Sequence, residues 1–161
     1  MKILPALIVV FGLSVVACGS REASAGVDGP APLAEAGLAI VPVQLSASGR
    51  THVIQAEIAM TVEEQAQGLM FREELAPDRG MLFPMSPARP ASFWMKNTLI
   101  PLDIIFIRAD GTIARIAERT TPRSLEPIDS GEPVAAVLEI AGGRARALGL
   151  GPDDRVSWRI P

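Results

Sequence analysis

Between residues 38 and 161 the apolar positions of this chain fall into short runs, separated from one another by proline and glycine. Proline brings no amide hydrogen to a helix or a ladder, and glycine loses the most backbone freedom on ordering, so each break confines regular structure to the stretch between. With fourteen residues of each type in 161, the chain has room for many strands and few helices.

Residues 39–45 are apolar enough for a strand, and Pro42 suggests an edge position. In residues 52–60, Ile54, Ala56, Ile58 and Met60 alternate with Val53, Gln55, Glu57 and Ala59, which predicts a half-buried strand with its polar side outward. Thr61 followed by Glu64 fits a capping box, and the short helix it opens runs through Gln67 to Gly68. Residues 80–85 and 91–96 read as two short strands around a loop carrying Pro84, Pro87 and Pro90. Residues 102–108 are apolar on both faces, as in a central strand. Asp110-Gly111 is a hairpin turn, returning along 112–119. A loop with Pro122, Pro127 and Pro133 precedes a buried strand over 134–140, a helical turn over 142–149 and a closing strand over 155–160. The expected fold is mainly β: a compact β-sandwich or barrel-like domain of about seven or eight short strands with one or two short helices.

The first residues read differently. Lys2 is a positive start, and residues 3–17 are an uncharged apolar run of about fifteen residues, short of the roughly twenty that span a bilayer. Residues 1–17 are therefore expected to be a signal peptide. Val15-Val16-Ala17-Cys18 resembles the lipobox of bacterial lipoproteins, which implies an acylated Cys18. As the sole cysteine, Cys18 has no disulfide partner within the chain, and acylation would remove a free thiol from an oxidising compartment. Residues 18–37, rich in Ala, Gly, Ser and Pro, are expected to be a flexible tether with a reach on the order of 25 Å. Export and anchoring to a membrane through the Cys18 lipid, facing the periplasm, follow. Gly19 stands where the Asp associated with inner-membrane retention would be, which favours the outer membrane. A net charge of −3 with scattered Arg lacks the footprint of a nucleic-acid binder.

Among thirteen Arg and two Lys, Lys96 is the sole lysine after the leader, and Asn97 is the sole asparagine of the chain. A lysine among arginines suggests a position that wants a compact ammonium group, and asparagine tolerates the left-handed backbone of a turn. Strand alternation puts Trp94 and Lys96 on one face; Asp103 shares a face with Ile105 and Ile107, and Glu139 lies beside Val137. Carboxyl groups in such surroundings need partners, and Lys96 and Arg72 are the candidates. The set reads either as a buried network fixing strand register or as a cleft at Trp94 whose charges orient a ligand.

Gly68-Leu69-Met70-Phe71-Arg72, Gly80-Met81-Leu82-Phe83, Phe93-Trp94-Met95-Lys96-Asn97-Thr98 with Pro101-Leu102-Asp103-Ile104-Ile105-Phe106, and Leu138-Glu139-Ile140-Ala141-Gly142 follow one another in order. In these blocks the chain resembles, from about Val43 to Ile160, the bacterial and archaeal family catalogued as domain of unknown function number 192. The resemblance implies a β-rich, sandwich-like fold, frequent export and no established activity. It departs at Asp153-Asp154, where the family has Gly-Asp before its closing strand, which puts the tight turn there in doubt.

Three functions compete. The first is a non-enzymatic periplasmic binding or interaction module for a small molecule or envelope protein, with no cofactor. The second is a hydrolase-like enzyme using Asp103 and Glu139. His52 opens an apolar strand face as a structural residue would, and Ser92 and Lys96 along one strand would lie roughly 13 Å apart, too far for a nucleophile and its base. The third is soft-metal (copper) binding through Met60, Met70, Met81, Met85 and Met95.

Overall fold

The structure is a computed structural model that describes residues 37–160. The leader, Cys18 and all of the tether but Gly37 lie outside these residues. Seven strands form one sheet in the order β5-β4-β6-β3-β2-β1-β7. In chain order the elements are β1 (Ile40–Ala47), β2 (Arg50–Ile58), α1 (Val62–Gln67), β3 (Arg79–Phe93), β4 (Leu102–Ile107), β5 (Ile113–Ala117), β6 (Ile128–Ala141), α2 (Arg144–Leu148) and β7 (Arg155–Ser157). Among the described strands, only β2 and β3, joined through α1, pair in parallel.

The sheet curls until its outermost strands touch. Thr112 bridges to Arg155, Ile113 N–H donates to the Asp154 carbonyl at 2.8 Å, and Val156 N–H donates to the Gly111 carbonyl at 2.8 Å. The result is a half-barrel, the barrel-like form of the expected fold. Asp153 takes the left-handed φ of 68° that the family's glycine would take, and its carboxylate accepts from Arg108 Nη1 at 3.0 Å. The tight turn forms without glycine. Pro42 sits on β1 just outside the Gln44–Ser46 stretch that β7 covers, so it needs no donor there.

The two faces bury separate cores. Inside the curl, Val43, Leu45, Ile54, Ile105, Leu138 and Val156 pack with Leu148 of α2. On the other face, Met81, Phe83, Ile104, Phe106 and Val137 pack beneath Leu69 and Met95, which come from the segments after α1 and β3. Covering both faces explains why β4 is buried at every position. It also corrects the polar side expected of β2: Glu57 is 8% exposed, while Met60 lies past the strand end and is 54% exposed.

The central pair was expected as short strands broken by prolines, but β3 runs fifteen residues and β6 fourteen. The prolines sit where the ladder is irregular. Register shifts fall between Pro84 and Arg89 and between Pro90 and Ser92, and Pro90 stands opposite Pro133, so two residues without amide hydrogens share one rung. Ser130 repairs the gap: its hydroxyl accepts from Ala91 N–H at 3.0 Å and donates to the Glu132 carbonyl at 2.6 Å. Glycine matters where backbones close in. A Cβ on Gly80 would lie 2.5 Å from the Glu139 carbonyl, and one on Gly142 would lie 2.9 Å from the Pro101 carbonyl. Two of the ordered sequence blocks are thus joined to their neighbours by backbone contacts that admit no side chain.

Candidate functional site

The second face of the sheet carries a groove of about 440 Å³ between α1 and the outer half of β3. Local chemistry builds its walls. Glu64 Oε2 accepts from the N–H groups of Met60 at 2.6 Å and Thr61 at 2.9 Å, and the Thr61 hydroxyl accepts from Glu64 N–H at 3.2 Å. This is the expected capping box, and those backbone bonds hold the Glu64 carboxyl below the usual glutamate range. Gln65 then fastens the helix to the sheet, donating through Nε2 to the carbonyls of Ala59 and Pro84, both at 3.1 Å. On the far side the chain leaves β3 in a turn. Asn97 adopts the left-handed conformation (φ 56°) expected of it, and its carbonyl accepts from Phe71 N–H at 2.9 Å. With Met95 buried as the turn's anchor, Trp94 and Lys96 are left on the groove's edge.

Leu69, Phe83, Met85, Phe93 and Trp94 give the lining its apolar character. Glu139 is the acid among the lining residues. It lies on β6 between Met81 of β3 and Ile104 of β4 in the cross-strand register, all on the second face. It is 5% exposed, and its carboxyl makes no hydrogen bond or ion pair with any described residue. Burial with nothing to compensate the charge pushes its pKa up to about 8. At neutral pH it is chiefly a protonated acid, able to donate one hydrogen bond and accept others.

Asp103 does not share this site. Its register partner is Ile140, one step along from Glu139, so it faces the inner core. There its carboxylate accepts from the N–H groups of Arg119 (2.7 Å), Gly143 (2.8 Å) and Ala145 (2.8 Å), and it is fully buried. Asp103 thereby supplies the first turn of α2 with an acceptor and ties it to β4 and to the end of β5. It holds the fold together, and no hydrolytic pair can be assembled from Asp103 and Glu139 across the sheet.

The expected ion pairs are also redrawn. Arg72 Nη2 donates to Glu57 Oε2 at 2.6 Å, with both side chains mostly buried, and among the described residues no other side chain shares the pair. Arg72 Nε is buried without a partner. Glu57 belongs to the same face as Glu139, one strand further along, so the two backbones stand roughly 10 Å apart. Lys96 meets neither acid: it is exposed, and its Nζ lies 5.1 Å from the Trp94 ring centroid. Trp94 is itself 49% exposed and also borders a second hollow with Leu125 and Pro127. Of the six residues singled out, the structure brings Trp94, Lys96 and Glu139 to one groove, puts Arg72 and Asn97 in the segments beside it, and turns Asp103 to the opposite face. Arg89, also on the lining, had no sequence signal to distinguish it from twelve other arginines.

The methionines are dispersed as well. Met81 and Met95 are sealed in the core, Met60 is on the surface, and Met70 and Met85 line the groove. Met95 Sδ accepts from the Thr120 hydroxyl at 3.1 Å. Among the described residues no group of three His, Cys, Asp or Glu is placed to hold a metal ion.

The model of the family described as "Uncharacterized ACR, COG1430" (DUF192) matches residues 43–158. Among solved structures, a protein of Sinorhizobium meliloti 1021 described as a candidate transcription regulator is 48% identical, with a TM-score of 0.73 over 75% of this chain and 95% of its own. A protein of unknown function from Novosphingobium aromaticivorans DSM 12444 is 44% identical, with a TM-score of 0.76 over 87% of this chain and all of its own. No curated protein matches the chain.

Proposed function

The chain belongs to the DUF192 family, which has no established activity, and from that premise we propose that it is an exported, lipid-anchored binding module whose groove beside Trp94 takes a small, largely apolar molecule. The observation that carries the reading is Glu139. A carboxyl group left unpaired in an apolar wall is costly to a fold that needs nothing from it, and this one borders an open groove of ligand size. The exposed indole beside it supports the same reading, because a half-uncovered tryptophan is a common anchor for a bound partner.

The other functions have less support. With Asp103 committed to three backbone donors, the acid pair proposed for hydrolysis is missing. Only Met70 and Met85 among the thioethers reach the groove, fewer than a soft-metal site draws on. The regulator description of the Sinorhizobium relative is not carried over either. The chain's charge is −3, and its described helices of six and five residues are too short to lie along a major groove as recognition helices do.

The groove is tested with the non-acylated full chain (Cys18→Ser) and 1-octanol as a neutral probe, followed by amide NMR shifts. Saturable shifts centred on Leu69, Phe83 and Trp94 are expected, and they should vanish in Ala66→Trp, which plants a bulky ring on the exposed, groove-lining side of α1. Shifts that never saturate, or that survive the substitution, contradict the reading. For the address, cells fed labelled palmitate should transfer label to the wild-type chain and not to Cys18→Ala. An unlabelled wild-type chain contradicts the anchor.

A further inference from the structure

The charges around the groove are arranged by depth. Glu139 lies within the wall, 5% exposed and without a partner among the described residues, while the two cationic side chains of the lining, Arg89 and Lys96, are exposed. Among the described residues neither cation enters an ion pair. The surfaces between are apolar and aromatic: Leu69, Phe83, Met85 and Phe93. Of the two buried glutamates, Glu57 has a cation and Glu139 has none among the described residues. Arg72 holds Glu57, and Arg108 holds Glu132 and Asp153. The groove thus brings together a buried acid and two exposed cations, none of them in an ion pair among the described residues.

We infer that the groove's ligand is a small zwitterion with an apolar body, its amine seated on the Glu139 carboxyl and its acidic group turned outward to Arg89 and Lys96. This rests on the groove being a binding site, as proposed above. An ammonium group supplies what Glu139 lacks, a charged donor where the wall offers none, and a hydrogen bond to a charged group is about twice as strong as a neutral one. A hydroxyl or amide would satisfy the acid's hydrogen bonding and leave the cations unanswered. A purely anionic amphiphile would suit the rim and bring no donor to the floor. The volume of about 440 Å³ suits a molecule with a chain of several carbons rather than a folded partner. Seating the amine displaces one proton, since the wall acid must ionise to form the pair; that proton leaves to solvent.

The test is a calorimetric titration of the non-acylated full chain at pH 7.5 with four probes of equal chain length: 8-aminooctanoate, octylamine, 1-octanol and octanoate. Affinity should fall in that order. Glu139→Gln should weaken both amines by about tenfold or more while leaving 1-octanol within about twofold. Replacing Arg89 and Lys96 together by Met should erase the advantage of 8-aminooctanoate over octylamine without weakening octylamine itself. Titrations in buffers of different ionisation heat should show proton release with the amines and none with 1-octanol. Octanoate binding as tightly as octylamine, or amine affinities unmoved by Glu139→Gln, overturns the inference. If 1-octanol binds and the amines bind no better, the groove stands as a site and the charge assignment falls. If no probe binds, both readings fall together.

Discussion

Asp103 and Glu139 stand one register step apart on adjacent strands, and their carboxyl groups leave opposite faces of the same sheet. The two acids have opposite surroundings: three backbone donors around one and, among the described residues, no partner for the other. Their substitutions should therefore behave in opposite ways.

Asp103→Ala strips the acceptor from three N–H groups in a sealed core. Its cost should be about 3 kcal/mol or more in urea unfolding, because each buried donor left unmatched costs about 1–3 kcal/mol. A loss under 1 kcal/mol would mean that water or the chain re-satisfies the donors.

Glu139 should make stability depend on pH. Its pKa is about 8 in the folded protein against 4.5 as the ordinary value, so the folded state holds the proton more tightly. Its contribution is complete below the unfolded pKa and is lost as pH rises through the window from 4.5 to 8, by an amount on the order of 3–5 kcal/mol. Glu139→Gln should remove that slope and be the more stable form at pH 8. Parallel pH profiles for the two proteins would contradict this.

Trp94→Ala should separate binding from folding. With the ring 49% exposed, the substitution is expected to cost no more than about 1 kcal/mol in a thermal melt, while probe binding in the groove falls. Collapse of the fold would assign the indole to structure.

Arg72→Met leaves Glu57 buried without its cation, at a cost of about 3 kcal/mol or more. Adding Glu57→Met should recover most of that loss. A double variant as unstable as the single one would show that the arginine acts through something other than the pair.

What could be read from the sequence was what neighbouring residues decide. Thr61 and Glu64 cap the helix, Asp110-Gly111 makes the β4–β5 hairpin, and Asn97 takes its left-handed turn, each through contacts within a few positions. The fold class followed from the short apolar runs. The alternation of β4 and β6 gave each acid its companions along its own strand, but the relation between strands lies in the register of Asp103 with Ile140, which no local pattern encodes. The prolines misled for a related reason: Pro90 and Pro133 are tolerated inside long strands because they face each other and Ser130 supplies the missing bonds. Arg72 and Glu57, fifteen positions apart, meet only because the segment after α1 folds over the second face.

The account depends on an acid that is buried, unpaired and open to the groove. Carbon-13 NMR of the glutamate side chains, with the Glu139 signal identified by its absence in Glu139→Gln, follows that acid directly as pH is raised. A midpoint near 8, falling when 8-aminooctanoate is added, is the predicted result. A midpoint at the ordinary 4.5, unmoved by the probe, would contradict it.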